Sequence, residues 1–409
     1  MDLNRRDFIK LSSTALSLAG GAPWISALAA DARLGPAVLP SGALESALLD
    51  SLPAKVALIK KTYRPPNFET PVSYFSEAFT PNDAFFVRYH LASIPEIDPR
   101  TWRLRIGGAS ANRTLELSLA DLKRDFKRVH LAAINQCSGN RRGLFTPRAA
   151  GVQWTYGAMG NALWGGVRLR DVLNRVGVKG DALEVVLEGA DAALLAATPD
   201  FAKSLPVDRA LDADTLIAFE MNGEPLPHWN GAPVRLVVPG WTATYWVKHL
   251  TSINVEPKAF DGFWMKSAYR IPTGAFPGAR FKSQENAQTT PITEILINSL
   301  VTSHSNGARL ERGRAAELFG WAWDGGTGIS TVEVSSDEGR SWRPAKLGEA
   351  PSSYSWRGFR MPLDTAKPGS LQIAVRATGR NGARQPDKLT PNPSGYHHNM
   401  IQTLTLEVA

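Results

Sequence analysis

The 409-residue chain contains a single cysteine, Cys137. One thiol cannot form an intrachain disulfide, a CxxCH haem attachment site, or the four-cysteine sites that hold zinc and iron–sulfur clusters. The sequence also lacks the GxGxxG and Walker patterns of nucleotide-binding loops. These absences exclude covalently attached c-type haem from this chain, and they give no indication of a nucleotide cofactor.

No continuous stripe of charge is present, although basic residues outnumber acidic ones by 46 to 38 and the formal charge is +8. The excess is dispersed as pairs such as Lys123-Arg124 and Arg141-Arg142. Nucleic-acid-binding proteins usually concentrate positive charge on one face. The pattern therefore favours a solvated basic surface that attracts anionic substrates or an acidic protein partner, and no nucleic acid is expected.

The N-terminus carries Arg5 and Arg6 within Asn4–Lys10, a twin-arginine export signal. A weakly apolar segment follows, and Ala27–Ala29 offers a small-residue cleavage site. A membrane anchor is the alternative, but glycines, serines and a proline make this stretch a poor spanning helix. We therefore expect residues 1–30 to be a removed leader, residues 31–60 to be a lead-in segment, and the protein to be a periplasmic enzyme, exported folded around a cofactor and without a membrane anchor.

Cys137 lies just after the apolar run Val129–Ile134, which predicts a buried strand. Arg141 and Arg142 follow it, and an electropositive turn favours the thiolate, the form that acts as nucleophile or metal ligand. A lone cysteine is more often a small buried hydrophobic residue. However, two guanidinium groups beside a core thiol indicate an anion or a cofactor nearby.

The segment Ala84–His90 predicts another strand, because it is rich in aromatic and β-branched residues. Arg88 and His90 are two residues apart, so they share one face of that strand, while Val87 and Tyr89 point the other way. One face is therefore cationic. The alternatives are structural: Arg88 could pair with a surface acid, and a lone strand histidine is often a satisfied structural residue.

The hydrophobic pattern predicts two parts of different character. Before residue 285, strands are expected at 102–106, 115–117, 183–187, 216–220 and 234–238, with helices at 118–128 and 167–176. From about Ile292, short alternating segments separated by turn residues predict an immunoglobulin-like β-sandwich without an inter-sheet disulfide. The run Ser283–Thr290 lacks large apolar residues and is expected to be the linker.

These segments resemble the sulfite oxidase family of molybdopterin enzymes, in order and over nearly the whole mature chain. The resemblance rests on Phe86–His90, on the cysteine loop Gln136–Arg142, and on Glu188–Asp191, Met221–Pro227, Pro233–Gly240 and Trp246–Lys248. It implies an α+β fold class. A sulfite-oxidase-type mixed α/β molybdopterin-binding catalytic domain at 61–285 would be followed by an all-β immunoglobulin-like domain at 292–409.

The resemblance also implies roles for single residues. Cys137 would give molybdenum its one protein thiolate, beside the dithiolene of the pterin. Arg88 and Arg142 would bind the substrate anion, His90 would bind cofactor or substrate, and Tyr269 would hydrogen-bond the sulfite or a ligand of the metal. The implied cofactor contacts are Phe86, Val87, Arg88, Tyr89, His90, Asp191, Asn230, Arg235, Trp246, Val247 and Lys248, of which Arg235 and Lys248 would bind the pterin phosphate.

By this resemblance the enzyme oxidises sulfite to sulfate and passes two electrons singly to a c-type cytochrome. That cytochrome is a permanent subunit in a heterodimer or a diffusing carrier, and a homodimer formed by the C-terminal domain is the other assembly. A molybdopterin sulfoxide reductase of the same fold is the alternative enzyme, although such relatives usually lack the C-terminal sandwich. An exported β-rich binding module without chemistry is the alternative outside enzymes.

The chain departs from the family at two positions. Asn230 stands where many relatives have a histidine five residues before Arg235, and Ser394 falls about where vertebrate relatives have a further substrate-pocket arginine. A less cationic pocket is therefore expected. The cytochrome b5-type haem domain of the animal enzymes is not found in the sequence either, so we expect the electrons to leave to another protein.

Overall fold

The computed structural model describes residues 49–195 and 197–409. The expected export signal, its cleavage site and most of the lead-in segment lie outside these ranges. Within them the chain is mostly β-structure, with 25 strands and four short α-helices: α1 (Leu119–Asp125), α2 (Leu169–Val176), α3 (Val207–Ala210) and α4 (Phe263–Lys266). None of the helices described is long and apolar enough to cross a membrane. The expectation of a mixed α/β catalytic domain therefore overstated the helical content.

The strands before residue 292 are β1 (Leu49–Asp50), β2 (Leu58–Thr62), β3 (Asn67–Glu69), β4 (Val87–Arg88), β5 (Leu104–Gly107), β6 (Leu115–Leu117), β7 (Arg128–Gln136), β8 (Met159–Arg168), β9 (Glu184–Gly189), β10 (Ala202–Pro206), β11 (Leu216–Met221), β12 (Glu224–Pro225), β13 (Arg235–Val237), β14 (Leu250–Glu256), β15 (Arg270–Pro272) and β16 (Thr289–Pro291). Those that follow are β17 (Asn298–Val301), β18 (Ala308–Leu310), β19 (Ala316–Trp323), β20 (Ile329–Ser335), β21 (Arg343–Pro344), β22 (Lys346–Leu347), β23 (Arg357–Leu363), β24 (Gly369–Gly379) and β25 (Gln402–Val408).

Two five-stranded sheets belong to the part of the chain that carries Cys137, and the second of them leads into the cysteine loop. One has the order β10-β9-β14-β5-β6, and the other has the order β12-β11-β8-β7 with β13 also paired to β11. Strands β7 and β8 pair antiparallel over nine residue pairs, from Arg128 opposite Val167 to Gln136 opposite Met159. The second half of β7 is buried, as the apolar run predicted. Cys137 therefore follows directly on the end of a well-anchored strand.

Local sequence signals set the helix ends. The Ser118 hydroxyl and the Asp121 carboxylate form a capping box at the start of α1, and α2 ends at Gly177, whose φ is +79°. The strand expected over Ala84–His90 is regular only in β4. The alternation of its faces is nevertheless confirmed, because Val87 and Tyr89 lie in a hydrophobic cluster with strands β2 and β3.

The C-terminal part consists of two sheets, ordered β17-β19-β23-β22 and β18-β25-β24-β20-β21. They share one hydrophobic core, to which Leu318 and Phe359 contribute from the first sheet and Val375 and Leu406 from the second. A second cluster joins this part to the rest of the chain, and Trp321 Nε1 donates to the carbonyl of Phe75 at 2.7 Å. The β-rich C-terminal part is thus packed against the part that carries Cys137.

The segment expected to be a free linker is packed. Gln284 is buried, and its amide donates to both carboxylate oxygens of Glu184 at 3.0 Å. Strand β16 pairs with β15 just afterwards. The run Ser283–Thr290 is predicted to be a linker because it lacks large apolar residues. In the structure, hydrogen bonds between amide and carboxylate groups hold it in place of apolar packing.

Two adjacent histidines near the C-terminus make the stability depend on pH. Burial lowers the pKa of both His397 and His398 to about 3, and the Arg141 guanidinium further lowers that of His398. A histidine in the unfolded state has a pKa of about 6.5. As the pH falls, the unfolded state therefore binds protons before the folded state does. The stability contributed by these groups is present above pH 6.5 and is lost below it.

We therefore expect the free energy of unfolding, measured with urea, to decrease from pH 6.5 to pH 5. The slope should be smaller in His398→Gln, which removes one of the buried histidines whose pKa is lowered; His249, whose pKa burial also lowers to about 3, remains in both proteins. A slope as steep in the variant as in the wild type would show that other residues cause the acid sensitivity.

Candidate active site at the end of strand β7

Two cavities meet at Cys137, whose side chain is buried and whose amide donates to the Ala158 carbonyl at 2.9 Å. The first cavity is lined by the cationic residues Arg235 and Lys248, among others. The second is lined by Arg142 and by residues from the C-terminal part. Arg88, Cys137 and Tyr269 line both. The thiol of Cys137, the candidate metal ligand in the sequence, therefore lies where the two cavities meet.

The first cavity is a buried cationic compartment. Burial lowers the pKa of Arg235 to about 9, and its guanidinium donates to the carbonyls of Asn230 at 2.9 Å and Trp246 at 3.1 Å. Burial also lowers the pKa of Lys248 to about 7, against the opposing charge of Asp191. Lys248 Nζ donates to the Arg88 carbonyl at 2.7 Å. Cations held this way stabilise a buried anionic group such as a phosphate.

The same cavity contains buried polar atoms that have no hydrogen-bond partner among the described residues. They are Asn135 Nδ2, Ser138 Oγ and Thr244 Oγ1, and all three residues line it. Most buried polar groups in proteins have a hydrogen-bond partner. Three unsatisfied groups beside two buried cations fit a ligand that is polar at several positions and anionic at one. The residues present therefore fit a molybdopterin, with its pterin ring and its phosphate.

Arg88 and His90 converge on the hydroxyl of Tyr269. Arg88 Nη2 donates to it at 3.3 Å, and His90 Nε2 is hydrogen-bonded to it as well. Burial lowers the pKa of His90 well below its usual value, and the nearby charges of Arg88, Lys248 and Lys203 lower it further. His90 is thus a neutral imidazole at neutral pH. Arg88 and His90 share a face, as their spacing predicted.

The second cavity has a volume of about 300 Å³ and contains one further arginine, Arg142. Arg142 Nε donates to the Ser394 carbonyl at 2.9 Å, and its guanidinium lies 4.9 Å from the ring centroid of Tyr396. Ser394 lines this cavity and adds a hydroxyl and a carbonyl where the resemblance implies a cation. Ser394 therefore lines a compartment that has one arginine of its own, Arg142, besides Arg88.

Arg142 is surrounded by glycines that leave room for its side chain. A Cβ on Gly395, whose φ is +60°, would lie 2.9 Å from Arg142 Cγ and 2.6 Å from the Ala149 side chain. Such contacts are too short, so the Arg142 side chain would have to move. We expect Gly395→Ala to raise the Michaelis constant for an anionic substrate by about 3- to 10-fold, because small misplacements of a binding group weaken catalysis.

This effect should appear without loss of bound molybdenum, measured by elemental analysis. Gly382→Ala is the matched control, because Gly382 also has a positive φ but has open space around its Cβ position. Equal changes in the two variants would mean that backbone strain, and not the position of Arg142, causes the effect.

The C-terminal part holds the cysteine loop directly. Trp323 Nε1 donates to Gln136 Oε1 at 2.7 Å, just before the cysteine. Arg141 has a left-handed backbone with φ +67°, and its Nη2 donates to the Ser299 carbonyl at 2.5 Å. Together with the bond from Arg142 to Ser394, these contacts fasten the loop from before Cys137 to five residues after it.

Most of the predicted cofactor contacts line the first cavity, namely Phe86, Arg88, His90, Asp191, Asn230, Arg235, Trp246 and Lys248. Val87, Tyr89 and Val247 do not line it. Val87 and Tyr89 point into the opposite hydrophobic cluster, where the Tyr89 hydroxyl bonds His249 Nε2 at 2.7 Å. Val247 lies in the core, and its carbonyl accepts from the Leu236 amide at 2.8 Å. The side chains of these three residues therefore point away from the first cavity: Val87 and Tyr89 because neighbouring residues of an extended chain face opposite sides, and Val247 because it is packed in the core between β13 and β14.

Several lining residues were not predicted: Asn135, Ser138, Phe201, Trp229 and Thr244 in the first cavity, and Trp264 and Tyr396 in the second. Asn135 and Ser138 flank the cysteine, so their position in sequence could have identified them. Phe201 and Tyr396 reach the site through tertiary packing, and no local pattern marks them.

Lys55 supports the cavity wall at Asn230, the position where the resemblance implies a histidine. Its Nζ donates to Asn230 Oδ1 at 2.8 Å and to the Phe85 carbonyl at 3.0 Å, and burial lowers its pKa to about 7. Lys55 belongs to the expected lead-in segment, which therefore contributes to the site. Among the described residues, no group of three or more His, Cys, Asp or Glu could hold a metal by itself.

The model of the oxidoreductase molybdopterin binding domain matches residues 90–264, and that of the Mo-co oxidoreductase dimerisation domain matches residues 289–408. The chain is 35% identical over 348 residues to mitochondrial sulfite oxidase of Homo sapiens, covering 82% of this chain and 62% of the human protein's length. It is 34% identical over 352 residues to sulfite oxidase of Gallus gallus, covering 83% of this chain and 75% of that protein. The crystal structure of the sulfane dehydrogenase SoxCD from Paracoccus pantotrophus is similar, with a TM-score of 0.73, 27% identity, and coverage of 87% of this chain and 90% of that one.

Proposed function

The chain belongs to the sulfite oxidase family of molybdenum enzymes, and on that premise we propose that it oxidises sulfite to sulfate. One observation carries the proposal. A buried thiol lies between a cationic cavity with unsatisfied polar groups, which fits the pterin cofactor, and a second cavity lined by Arg88 and Arg142. Sulfite and water give sulfate, two protons and two electrons.

The bound molybdenum–molybdopterin cofactor supplies oxygen-atom transfer and accepts two electrons. In the first cavity, Cys137 would give the metal its protein thiolate, while Arg235 and Lys248 would hold the pterin phosphate. Asn135, Ser138 and Thr244 would then gain hydrogen-bond partners that they lack among the described residues. A soft thiolate is a suitable donor for such a centre, because it tunes the potential of the metal.

The side chains where the two cavities meet bind the substrate. The planar guanidinium groups of Arg88 and Arg142 hold the oxyanion more specifically than lysines would. Because Arg88 donates to the Tyr269 oxygen, the phenol hydrogen is left for the neutral His90 Nε2. Tyr269 is thereby oriented beside the thiol, where it can exchange this hydrogen bond for one to the bound anion.

The electrons leave singly to a c-type cytochrome, which is either a subunit or a carrier. The enzyme works in the periplasm after export by the twin-arginine route. We interpret the C-terminal sheets as an immunoglobulin-like sandwich that pairs with a second copy of this chain or with the cytochrome. The expected leader sequence supports the location in the periplasm, and the match to a dimerisation domain supports the pairing.

The test is metal analysis of the purified full chain, followed by sulfite-dependent reduction of cytochrome c. We expect about one molybdenum per chain and reduction that requires sulfite. A protein without molybdenum, or without sulfite-dependent reduction, would refute the proposal. Activity towards methionine sulfoxide in the reducing direction would instead identify the sulfoxide reductase alternative.

Oxidation of sulfane sulfur is a second candidate, because the second cavity lacks the implied arginine at Ser394 and has room for more than sulfite. Its volume is about 300 Å³. The structurally similar SoxCD is described as a sulfane dehydrogenase. Comparing kcat/KM for sulfite with that for glutathione persulfide decides between the two, and the larger value identifies the substrate class.

A further inference from the structure

Lys203, in β10, is a buried cation that the proposed reaction does not use. Its side chain is completely buried, and its Nζ donates to one acceptor, the Trp264 carbonyl, at 2.7 Å. Burial lowers the pKa of Lys203 well below its usual value, and the like charge of Arg270 lowers it further, against the opposing charge of Glu184. Burying an ammonium group is costly unless it is fully compensated. This cost indicates that the lysine has a specific role at this position.

The surroundings of Lys203 point to the active-site tyrosine. Its Nζ lies 5.3 Å from the ring centroid of Tyr269 and 4.7 Å from that of Tyr245. Both distances are within the range of a cation–π interaction, which is strongest where water is excluded. The carbonyl that accepts from Lys203 belongs to Trp264, whose own ring lies 6.2 Å from that of Tyr269. Lys203 therefore contacts the tyrosine directly and also holds the tryptophan beside it.

The same stretch of chain also supports the partner of the tyrosine. Phe201, two residues before Lys203, stacks on the His90 ring with centroids 3.8 Å apart and planes at 10°. Residues two apart on an extended chain share a face. One face thus places an aromatic ring on His90 and a cation on Tyr269, the two groups whose side chains are hydrogen-bonded to each other.

Tyr269 needs such support because its backbone is strained. Its φ is +57°, a conformation that is unfavourable for a bulky residue and persists where surrounding contacts enforce it. Its carbonyl accepts from the Ile292 amide at 2.9 Å, which holds the backbone. The ring is held by stacking on Tyr396, with centroids 5.6 Å apart, and by Lys203 on the side of β10.

We propose that Lys203 is a positioning residue that holds the Tyr269 phenol where its hydroxyl reaches Arg88 and His90. Lys203 lines neither cavity, so it acts through the tyrosine and not on the substrate. Its effect on turnover rests on the proposed sulfite oxidation. Its effect on the position of the tyrosine and on anion binding does not.

The first test uses the full-length, metal-loaded enzyme with Lys203→Met. We expect sulfite turnover to fall by about 10- to 100-fold, as for a misplaced catalytic contact, and the dissociation constant for sulfate, measured by calorimetry, to rise by at least about 3-fold. Lys266→Met is the matched control, because Lys266 lies on the same helix as Trp264 but is exposed. Both quantities should be unchanged in the control, and a Lys203 variant like the control would overturn the proposal.

A double-mutant cycle with Tyr269→Phe separates positioning from general structural damage. If Lys203 acts by holding the hydroxyl, Lys203→Met should lower turnover by less than about 2-fold in the Tyr269→Phe background. A fully additive effect would show that Lys203 acts independently of this hydroxyl, contrary to the proposal.

A crystal structure of Lys203→Met tests the positioning role without an activity measurement. We expect the Tyr269 ring to shift by about 1 Å or more, and a ring that stays within about 0.5 Å would overturn the proposal. If the methionine variant is insoluble, Lys203→Gln serves instead, because it keeps a donor for the Trp264 carbonyl but removes the cation. A wild-type enzyme without sulfite turnover would refute the proposed function, while the ring position and the sulfate affinity would still test Lys203.

Discussion

Replacing Cys137 with serine is expected to abolish sulfite turnover, by more than about 100-fold. Removing a mere outer-shell partner of a metal ligand commonly costs 10- to 100-fold, and the proposed ligand itself should cost more. Serine is close in size but offers a hard oxygen donor where a soft sulfur donor is proposed. The measurement combines sulfite-dependent cytochrome c reduction with X-ray absorption at the molybdenum edge, where one sulfur should be missing from the metal's first shell.

The fold should survive this change, because the side chains differ little in size and Cys137 forms no disulfide. Urea unfolding of the variant is therefore the control, with an expected change of about 1 kcal/mol or less, typical of a mild core substitution. Turnover like that of the wild type, or an unaltered sulfur shell, would remove Cys137 from the ligand role.

Replacing either arginine of the substrate site with methionine is expected to raise the KM for sulfite by about 10-fold or more. A hydrogen bond to a charged group contributes about 1.5–3 kcal/mol, and 1.4 kcal/mol corresponds to a factor of ten. The two variants should differ in kcat. Arg142→Met should leave it nearly unchanged, whereas Arg88→Met also removes the 3.3 Å contact to the Tyr269 hydroxyl and should lower it.

Arg309→Met is a suitable control for both variants, because Arg309 is an exposed residue of β18 on the C-terminal sandwich. Steady-state kinetics at several sulfite concentrations separate the two constants. A KM unchanged in both active-site variants would place the anion site elsewhere in the molecule.

The cysteine loop and its flanking strand could be predicted because the signals are local. An apolar run marks β7, a unique thiol follows, and two arginines come next. The spacing of Arg88 and His90 placed them correctly on one face even though the regular strand there is only two residues long. Alternation along an extended chain depends on the backbone direction at each residue and not on the length of a hydrogen-bonded ladder.

The resemblance covers whole segments, and it does not tell which side chains of a segment face the cavity. Val87 and Tyr89 lie in a matching stretch, but the alternation of side chains along the extended chain points them into the core, and Val247 is buried in the loop before β14. Tyr396, Phe201 and Lys55 were missed for the opposite reason. They approach the site from distant parts of the chain, and only the packing of both sheets, the C-terminal part and the lead-in segment brings them there.

The bonds from Trp323, Ser299 and Ser394 to the cysteine loop connect the two parts of the chain energetically. A fragment that ends before the sandwich would lose the acceptors of two arginines and the donor to Gln136, so it should not be a minimal catalytic unit. Substitutions that destabilise the C-terminal β-sheets should consequently lower enzymatic activity, even where the substituted residue does not contact the metal site.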